Sequence, residues 1–270
     1  GVILVEGDAE HILIPEMVKK VFGVSLDELG VSIINIGSTG FENIAQLFHK
    51  DRVQRKCSIL TDNDISIVSL PKDQTEDTEY ERDCRNSQIS GANRKLLLDE
   101  FCNENDFVEP FYAKHTFEVD FLMANNSYEI VQTVEKAYKK ESDKNKIKEI
   151  LENDDIAISG KEVLRLANKF GKGWFAIMLS DNIDHLTVIP KYILNALIFA
   201  CPSFRDSLLL SMANFRLKKL KDNAFDGDKA DYNKILSEID SIENHKSALD
   251  YYKKTLPKDI LSDLISLKNA

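Results

Sequence analysis

Two short apolar runs that each end in clustered carboxylates constrain this chain more than any other feature. The runs cover residues 2–5 and 58–61, and the acids that follow them are Glu6, Glu10, Asp62 and Asp64. Apolar runs of this length are typical of strands buried in a parallel sheet. The carboxyl ends of such strands face the functional crevice, so we expect the four acids to converge there. Crowded carboxylates raise one another's pKa or require cations, and one or two divalent metal ions are the simplest solution.

The composition fits a chain that buries one substantial core. Of its 270 residues, 43% are hydrophobic and 30% are charged, which suffices for one core with a subdomain or for two small domains. The four cysteines form no CxxC pair, so we expect a reducing compartment and no cysteine zinc site. The longest apolar stretch is half of what a bilayer span needs, and no secretory signal is visible. These features predict a cytoplasmic protein without a membrane partner.

The charge balance limits how the chain contacts nucleic acid. A net charge of −10 argues against a surface that is basic throughout, although basic residues can still act locally. Among the basic segments, the one at 216–221, which starts at Arg216, is a better candidate to contact a phosphate backbone than the lysines at 136–148.

The order of apolar segments predicts an α/β fold with a parallel sheet flanked by helices. Strands are predicted at residues 2–5, 31–36, 58–61 and 107–112. The intervening helices are predicted to start at Asp8 or Ala9, and to lie at 41–49 and 94–104. Strand–helix–strand alternation of this kind builds right-handed βαβ units.

Two long segments lie outside this alternation. Residues 65–93 are polar and have little to bury, so we expect a mobile loop directly after the acids. From Tyr128 the pattern is helical to the end. The predicted domains are a core at 1–125, a helical insertion with lysine-bearing helices at 126–200, and a helical tail at 201–270.

Further candidate acids alternate at Thr116, Glu118 and Asp120. In an extended segment the three side chains point to one face and add metal ligands. At the start of a helix, Thr116 instead caps the N-terminus and the two acids complement the helix dipole. The local sequence supports both interpretations equally.

Lys172 stands between two glycines ahead of an apolar helix, and Lys161 is its competitor. An ordinary loop lysine is the simpler local interpretation of either residue. The chain contains no GxxxxGK[ST] segment, so we expect no ATPase site within it.

Together these motifs resemble the Toprim domain of topoisomerases, primases and several nucleases. The resemblance rests on Glu-Gly-x-x-Glu at 6–10, a glycine turn after the second strand, and Asp-x-Asp at 62–64. Segments at 116–120, 171–176 and 186–193 further resemble elements of OLD-family (overcoming lysogenization defect) nucleases, in which Arg usually stands where this chain has Trp174. The resemblance spans residues 2–200.

The resemblance implies a metal-dependent nuclease that cuts DNA rather than RNA and serves in phage defence. It implies two Mg²⁺ or Mn²⁺ ions, and the ligands carried over are Glu6, Glu10, Asp62, Asp64, Glu118 and Asp120. Glu6, Asp62 and Lys172 would be the catalytic residues. The chain opens inside its first strand, which suggests a fragment. ATP would then bind only at a missing N-terminal ATPase domain, and the full-length protein would be a homo-oligomer.

Three other interpretations stay open from the sequence. Topoisomerase or primase chemistry uses the same acids, but it yields relaxed closed circles or primers rather than cut ends. A phospho-receiver module also places acids at strand ends, although its lysine normally follows the fifth strand without a helical insertion. A non-catalytic assembly module could use an apolar stripe near the C-terminus, at 256–265.

Overall fold

A four-stranded parallel sheet occupies the first part of the chain. The computed structural model describes residues 1–202 and 204–269, so Ser203 and Ala270 of the predicted tail lie outside the described residues. The strands are β1 (Val2–Val5), β2 (Ser32–Asn35), β3 (Cys57–Asp62) and β4 (Val108–Ala113). They pair in parallel in the order β2-β1-β3-β4. The predicted α/β class is therefore confirmed.

Helices connect the strands and then form the whole C-terminal region. Those that lie between or directly after the strands are α1 (Asp8–Phe22), α2 (Glu42–Ala45), α3 (Glu79–Cys102) and α4 (Phe117–Met123). The later ones are α5 (Ser127–Ala137), α6 (Glu141–Leu151), α7 (Ile156–Phe170), α8 (Lys172–Ser180), α9 (Lys191–Ala200), α10 (Asp206–Asn223), α11 (Asp226–Ser241), α12 (His245–Thr255) and α13 (Ile260–Lys268). Among the described residues, none of these helices has both the length and the apolar character that crossing a bilayer requires.

The sheet is buried on both faces because its strands alternate between two apolar clusters. Ile3 and Val5 pack into the larger cluster, which contains apolar residues of α1, α8 and α9. Leu4 and Ile59 pack on the opposite face, against residues of α2 and α3. Ser58 on β3 donates to the carbonyl of Ala196 on α9 across 2.7 Å. This packing fixes the strands so that the ends of β1 and β3 emerge side by side.

The segment between β3 and β4 corrects the prediction of a mobile loop over 65–93. A helix, α3, already begins at Glu79 and ends at Cys102, so the predicted helix at 94–104 covers only the last part of it. The Thr78 hydroxyl accepts from the Glu81 N–H, while the Glu81 carboxylate accepts from the Thr78 N–H, which satisfies two free donors at the helix start. Only Gly91 and Leu98 are buried. The helix therefore lacks the apolar periodicity by which a sequence reveals a helix.

Arg216 corrects one residue of the prediction that the basic segment at 216–221 contacts phosphate, while Lys218 and Lys219 of that segment are exposed. Arg216 is only 4% exposed and donates to both carboxylate oxygens of Asp259, at 2.7 to 2.9 Å. It also donates to the carbonyl oxygens of Val21 and His185. Arg216 thus links the C-terminal helices to the end of α1, and it is not free to bind nucleic acid.

Candidate metal centre

Glu6 and Asp62 stand at the ends of neighbouring strands. Glu6 directly follows β1, and Asp62 is the last residue of β3, which pairs with β1. The hydroxyl of Thr61, also on β3, donates to Glu6 Oε2 across 2.9 Å. The two acids that the sequence places fifty-six residues apart therefore meet at one edge of the sheet.

Glu10 joins these acids from the first turn of α1. It is buried, at 8% exposure, and burial raises its pKa from 4.5 to about 7. The charges of Glu118 and Glu6 contribute to this rise, whereas a backbone hydrogen bond and the charge of Lys172 oppose it. A carboxylate in this position is stabilised by any cation that approaches it.

The pKa of Asp62 responds to four neighbouring carboxylates. Burial raises its pKa well above the ordinary value, and the nearby carboxylates add to that effect. In decreasing order these carboxylates are Glu10, Glu118, Glu6 and Asp64. Acids from two strand ends and two helices therefore share one region of negative potential.

Asp64 is already paired with a cation that belongs to the protein. Its backbone takes a φ of 52°, and its Oδ2 accepts from Arg94 Nη2 across 2.8 Å. Arg94 also donates to the main-chain carbonyl of Asp62. One turn earlier on α3, a Cβ added to Gly91 would lie 2.2 Å from the carbonyl oxygen of Asn63. Helix α3 is therefore docked directly on the end of β3 and the loop after it, which carry Asp62 and Asp64.

Arg94 is not among the predicted site residues, because it was expected only as the first residue of a helix. No local pattern marks it, since its partner lies thirty residues earlier.

Residues 116–120 start helix α4, so the helix interpretation of this segment is right and the extended one is wrong. Thr116 is the N-cap, and its hydroxyl accepts from the Val119 N–H. The Asp120 carboxylate accepts from the backbone N–H groups of Lys114 and His115, at 2.5 and 3.1 Å. Asp120 therefore holds the loop before α4, whereas Glu118 points to the other acids.

Lys172 is the first residue of α8 and lies against Glu118. Its Nζ is 3.3 Å from Glu118 Oε1. Burial lowers the pKa of Lys172, but the charges of Glu118, Asp62 and Glu10 together raise it above its ordinary value. The competing Lys161 instead holds its ammonium 4.3 Å from the centre of the Tyr80 ring. Of the two lysines, Lys172 is the one that is coupled to the acids.

Tyr192 is a further neighbour of the acids. It was not among the predicted site residues. Burial raises its pKa well above 10, and the charges of Asp62, Glu10, Asp120 and Glu118 add to the effect. The hydroxyl is therefore neutral at physiological pH. The sequence feature that could have revealed Tyr192 is the segment at 186–193, which resembles an OLD-family element but was given no function.

Carboxylates of this kind suit a hard cation, although their oxygens do not surround one common point in this structure. Within residues 1–202 and 204–269, no group of three or more His, Cys, Asp or Glu side chains is arranged so that it could hold a metal ion. Glu118 Oε1 is buried and accepts no hydrogen bond, although the Lys172 ammonium lies 3.3 Å away in an ion pair that a metal ion would have to share or replace. Carboxylate oxygens are the ligands that Mg²⁺ and Mn²⁺ prefer.

A parallel sheet with acids at the ends of β1 and β3, followed by a helical region, defines an α/β domain of the Toprim type. Residues 1–64 match the family model of the overcoming lysogenization defect protein-like Toprim domain. The chain therefore carries an OLD-like Toprim domain.

Solved structures support the same assignment over more of the chain. The C-terminal region of the Burkholderia pseudomallei OLD protein is 25% identical, with a TM-score of 0.53, over 77% of this chain and 98% of that one. The C-terminal region of the Xanthomonas campestris pv. campestris OLD protein, phased with iodine, is 24% identical, with a TM-score of 0.51, over 78% and 96%. No curated protein matches the sequence. The fold is thus that of the C-terminal region of OLD proteins.

Proposed function

We propose that this chain is a metal-dependent nuclease that hydrolyses phosphodiester bonds, in DNA rather than in RNA. One observation carries the proposal. The pKa values of Glu10 on α1 and Asp62 at the end of β3 are raised by burial and by the charges of neighbouring acids, which include Glu6 and Glu118, and Lys172 is paired with Glu118. Negative charge of this density next to a lysine suits a site that binds cations and a phosphate together.

Two Mg²⁺ or Mn²⁺ ions are the proposed cofactors. Glu6, Glu10, Asp62 and Glu118 are the acids best placed to hold them, because their charges are coupled. Asp64 and Asp120 would contribute after release from their present partners. When bound, such ions polarise the scissile phosphate and lower the pKa of a water molecule.

The protein's own residues supply the remaining chemistry. Lys172 is charged at neutral pH, since the neighbouring acids raise its pKa, and its side chain is 52% exposed. It can therefore contact a phosphate and offset the negative charge that grows in the transition state. The Glu118 carboxylate, which is 4% exposed, forms an ion pair with Lys172 and thereby orients its side chain.

The similarity to C-terminal regions of OLD proteins supports the proposal that this nuclease is one part of a larger protein. We place it in the cytoplasm next to an N-terminal ATPase domain, where the two act in phage defence and assemble as a homo-oligomer. The domain divisions at 125/126 and 200/201 belong to the same proposal.

Cleavage of supercoiled plasmid in the presence of Mn²⁺ tests the proposal. We expect Glu6→Gln and Asp62→Asn each to reduce nicking at least about a hundredfold, while the circular dichroism spectrum stays unchanged. Asp51→Asn, at an acid whose side chain is 75% exposed, is the matched control and should cut normally. Normal cutting by either site variant would refute the assignment.

The products separate the rival activities. Nicked and linear molecules support a nuclease, relaxed closed circles indicate a topoisomerase, and extended primers indicate a primase. An absence of any product, with metal affinity unchanged in Asp62→Asn, would favour an assembly module.

A further inference from the structure

Four exposed cations lie together on the surface beside the candidate site. Arg165 and Lys169 stand one turn apart near the end of α7, and Lys139 and Lys140 follow Tyr138 in the connection between α5 and α6. We call these four cations the cationic patch. In a chain whose net charge is −10, such a local concentration of positive charge attracts an anionic partner that the chain as a whole repels.

Tyr138 joins the two segments of the cationic patch. Its hydroxyl oxygen accepts from Lys169 Nζ across 3.0 Å and lies 3.5 Å from Arg165 Nη2. The Lys169 ammonium also lies 4.3 Å from the centre of the Tyr138 ring, which packs edge-on against Phe170. Arg165 is paired with Glu162, yet its side chain stays 48% exposed. The cations are therefore held together before any ligand arrives, which lowers the entropic cost of binding one.

The cationic patch lies within reach of the lysine of the candidate site. Only Phe170 and Gly171 separate Lys169 from Lys172, and three steps along a chain span at most about 11 Å between Cα atoms. Lys169 is exposed, and the Lys172 side chain is 52% exposed. Successive phosphates on one strand of B-DNA are about 3.4 Å apart along the helix axis. A strand with one phosphate at Lys172 therefore brings another to Lys169 within a few nucleotides.

We propose that the cationic patch binds the phosphate backbone of the nucleic acid whose scissile phosphate lies at Lys172. This inference rests on the proposed nuclease function, and it names the surface that holds the substrate next to the site. The acids at the ends of β1 and β3 repel phosphates, and cations placed this close to them offset that repulsion. Phosphate contacts carry no base information, so binding through the cationic patch should not depend on sequence.

The exposed lysines of α10 lie at the other end of α1 from the acids. Arg216, which begins that basic segment, donates to the carbonyl oxygen of Val21, eleven residues after Glu10 on α1. At about 1.5 Å per residue, these two positions of α1 are about 17 Å apart along the helix axis. Lys218 and Lys219 are exposed like the lysines of the cationic patch. They therefore form a matched control that differs in its position relative to the acids.

The salt dependence of DNA binding tests the cationic patch. Each lost phosphate contact should reduce the slope of log affinity against log salt by about 0.9 on a duplex. We use Asp62→Asn to prevent cleavage, with Mn²⁺ present, and measure the anisotropy of a labelled duplex between about 50 and 200 mM KCl. In this background, Lys139→Gln/Lys140→Gln should weaken binding about tenfold and lower the slope by about 1.8. Lys218→Gln/Lys219→Gln should leave both quantities unchanged.

A second variant tests the other segment of the cationic patch. Lys169→Gln removes the cation nearest to Lys172 and should lower the slope by about 0.9. Because Lys169 also contacts Tyr138, thermal denaturation checks that α7 stays folded in this variant. The side chains of Lys139 and Lys140 are exposed, so their double variant tests the inference even if Lys169→Gln is destabilised.

The outcomes separate this inference from the nuclease itself. Plasmid nicking by the wild type, with affinity and slope unchanged in both patch variants, would overturn the inference and leave the nuclease standing. A slope that falls in the α10 variant instead would place the DNA on α10 and also overturn it. Patch-dependent binding by a wild type that never cuts would support the contact and refute the nuclease. Polyglutamate that binds as tightly as DNA, and only through the cationic patch, would assign the surface to an acidic protein partner.

Discussion

Arg94 donates to the Asp64 carboxylate across 2.8 Å and also to the main-chain carbonyl of Asp62. Helix α3, whose first part was expected to be a loop, thus supplies a cation to Asp64, one of the expected metal ligands. Any metal ion that binds Asp64 must compete with this arginine. Arg94 therefore acts on the candidate site both as an anchor for the loop and as a rival of the metal.

Replacing Arg94 should destabilise the fold. The side chains of the pair are only 13% and 24% exposed, so Arg94→Gln leaves Asp64 largely buried without its partner and should cost about 1–3 kcal/mol. Urea denaturation measures this cost. The adjacent Lys95→Gln is the control, because its pair with Asp99 is 44% exposed on both sides and should contribute below ~1 kcal/mol. Equal losses in the two variants would contradict a special role for Arg94.

Gly91→Ala tests how closely α3 is docked on the same loop. The new methyl group would lie 2.2 Å from the Asn63 carbonyl oxygen, so the helix must move, and we expect a loss of about 1–3 kcal/mol together with weaker Mn²⁺ binding. Gly227→Ala on α11 is the control, since no atom lies within 4 Å of the added Cβ. Better helix propensity should stabilise that variant by roughly 0.5–1 kcal/mol. Unfolding and calorimetric titrations measure both effects.

The stability of the metal-free chain should fall as the pH rises from about 4.5 to 7. Burial raises the pKa of Glu10 to about 7 in the folded state, whereas the unfolded chain loses this proton near pH 4.5. Unfolding therefore releases a proton within this window, and the full penalty, up to about 3 kcal/mol, is present above pH 7.

Thermal denaturation across the pH range, with and without Mn²⁺, measures this effect. Glu10→Gln should flatten the decline, and Mn²⁺ should oppose it at pH 7. Glu28→Gln is the control, because hydrogen bonds from Ser25 lower the pKa of Glu28. A decline that persists in Glu10→Gln would assign it to another group.

Lys172→Met should lower the rate of DNA cleavage without weakening Mn²⁺ binding. The variant keeps the apolar stem and loses the charge that lies 3.3 Å from Glu118. We expect nicking to fall about 10²- to 10³-fold while calorimetry shows Mn²⁺ affinity retained. Lys161→Met is the control and should cut normally, since that lysine lies over Tyr80. Normal turnover by Lys172→Met would show that Lys172 has no role in catalysis.

Much of the sheet was predictable because a buried parallel strand is encoded by adjacent residues. The first predicted strand, at 2–5, matches β1, and the strand at 58–61 lies inside β3. Pairing β1 with β3 then brings Glu6 to Asp62. The alternatives at 116–120 could not be separated, since capping and metal ligation favour the same residue types at the same spacing.

The sequence by itself determined the parallel sheet and the acids at its carboxyl edge, because apolar runs and the residues that end them are local patterns. Only the tertiary structure decided which charges balance those acids. The pairings of Arg94 with Asp64 and of Lys172 with Glu118 join residues 30 and 54 positions apart. The burial of Arg216 and the exposure of Trp174 were likewise decided by packing. Burial and the choice of partner depend on contacts between distant segments, and no local pattern of residues records them.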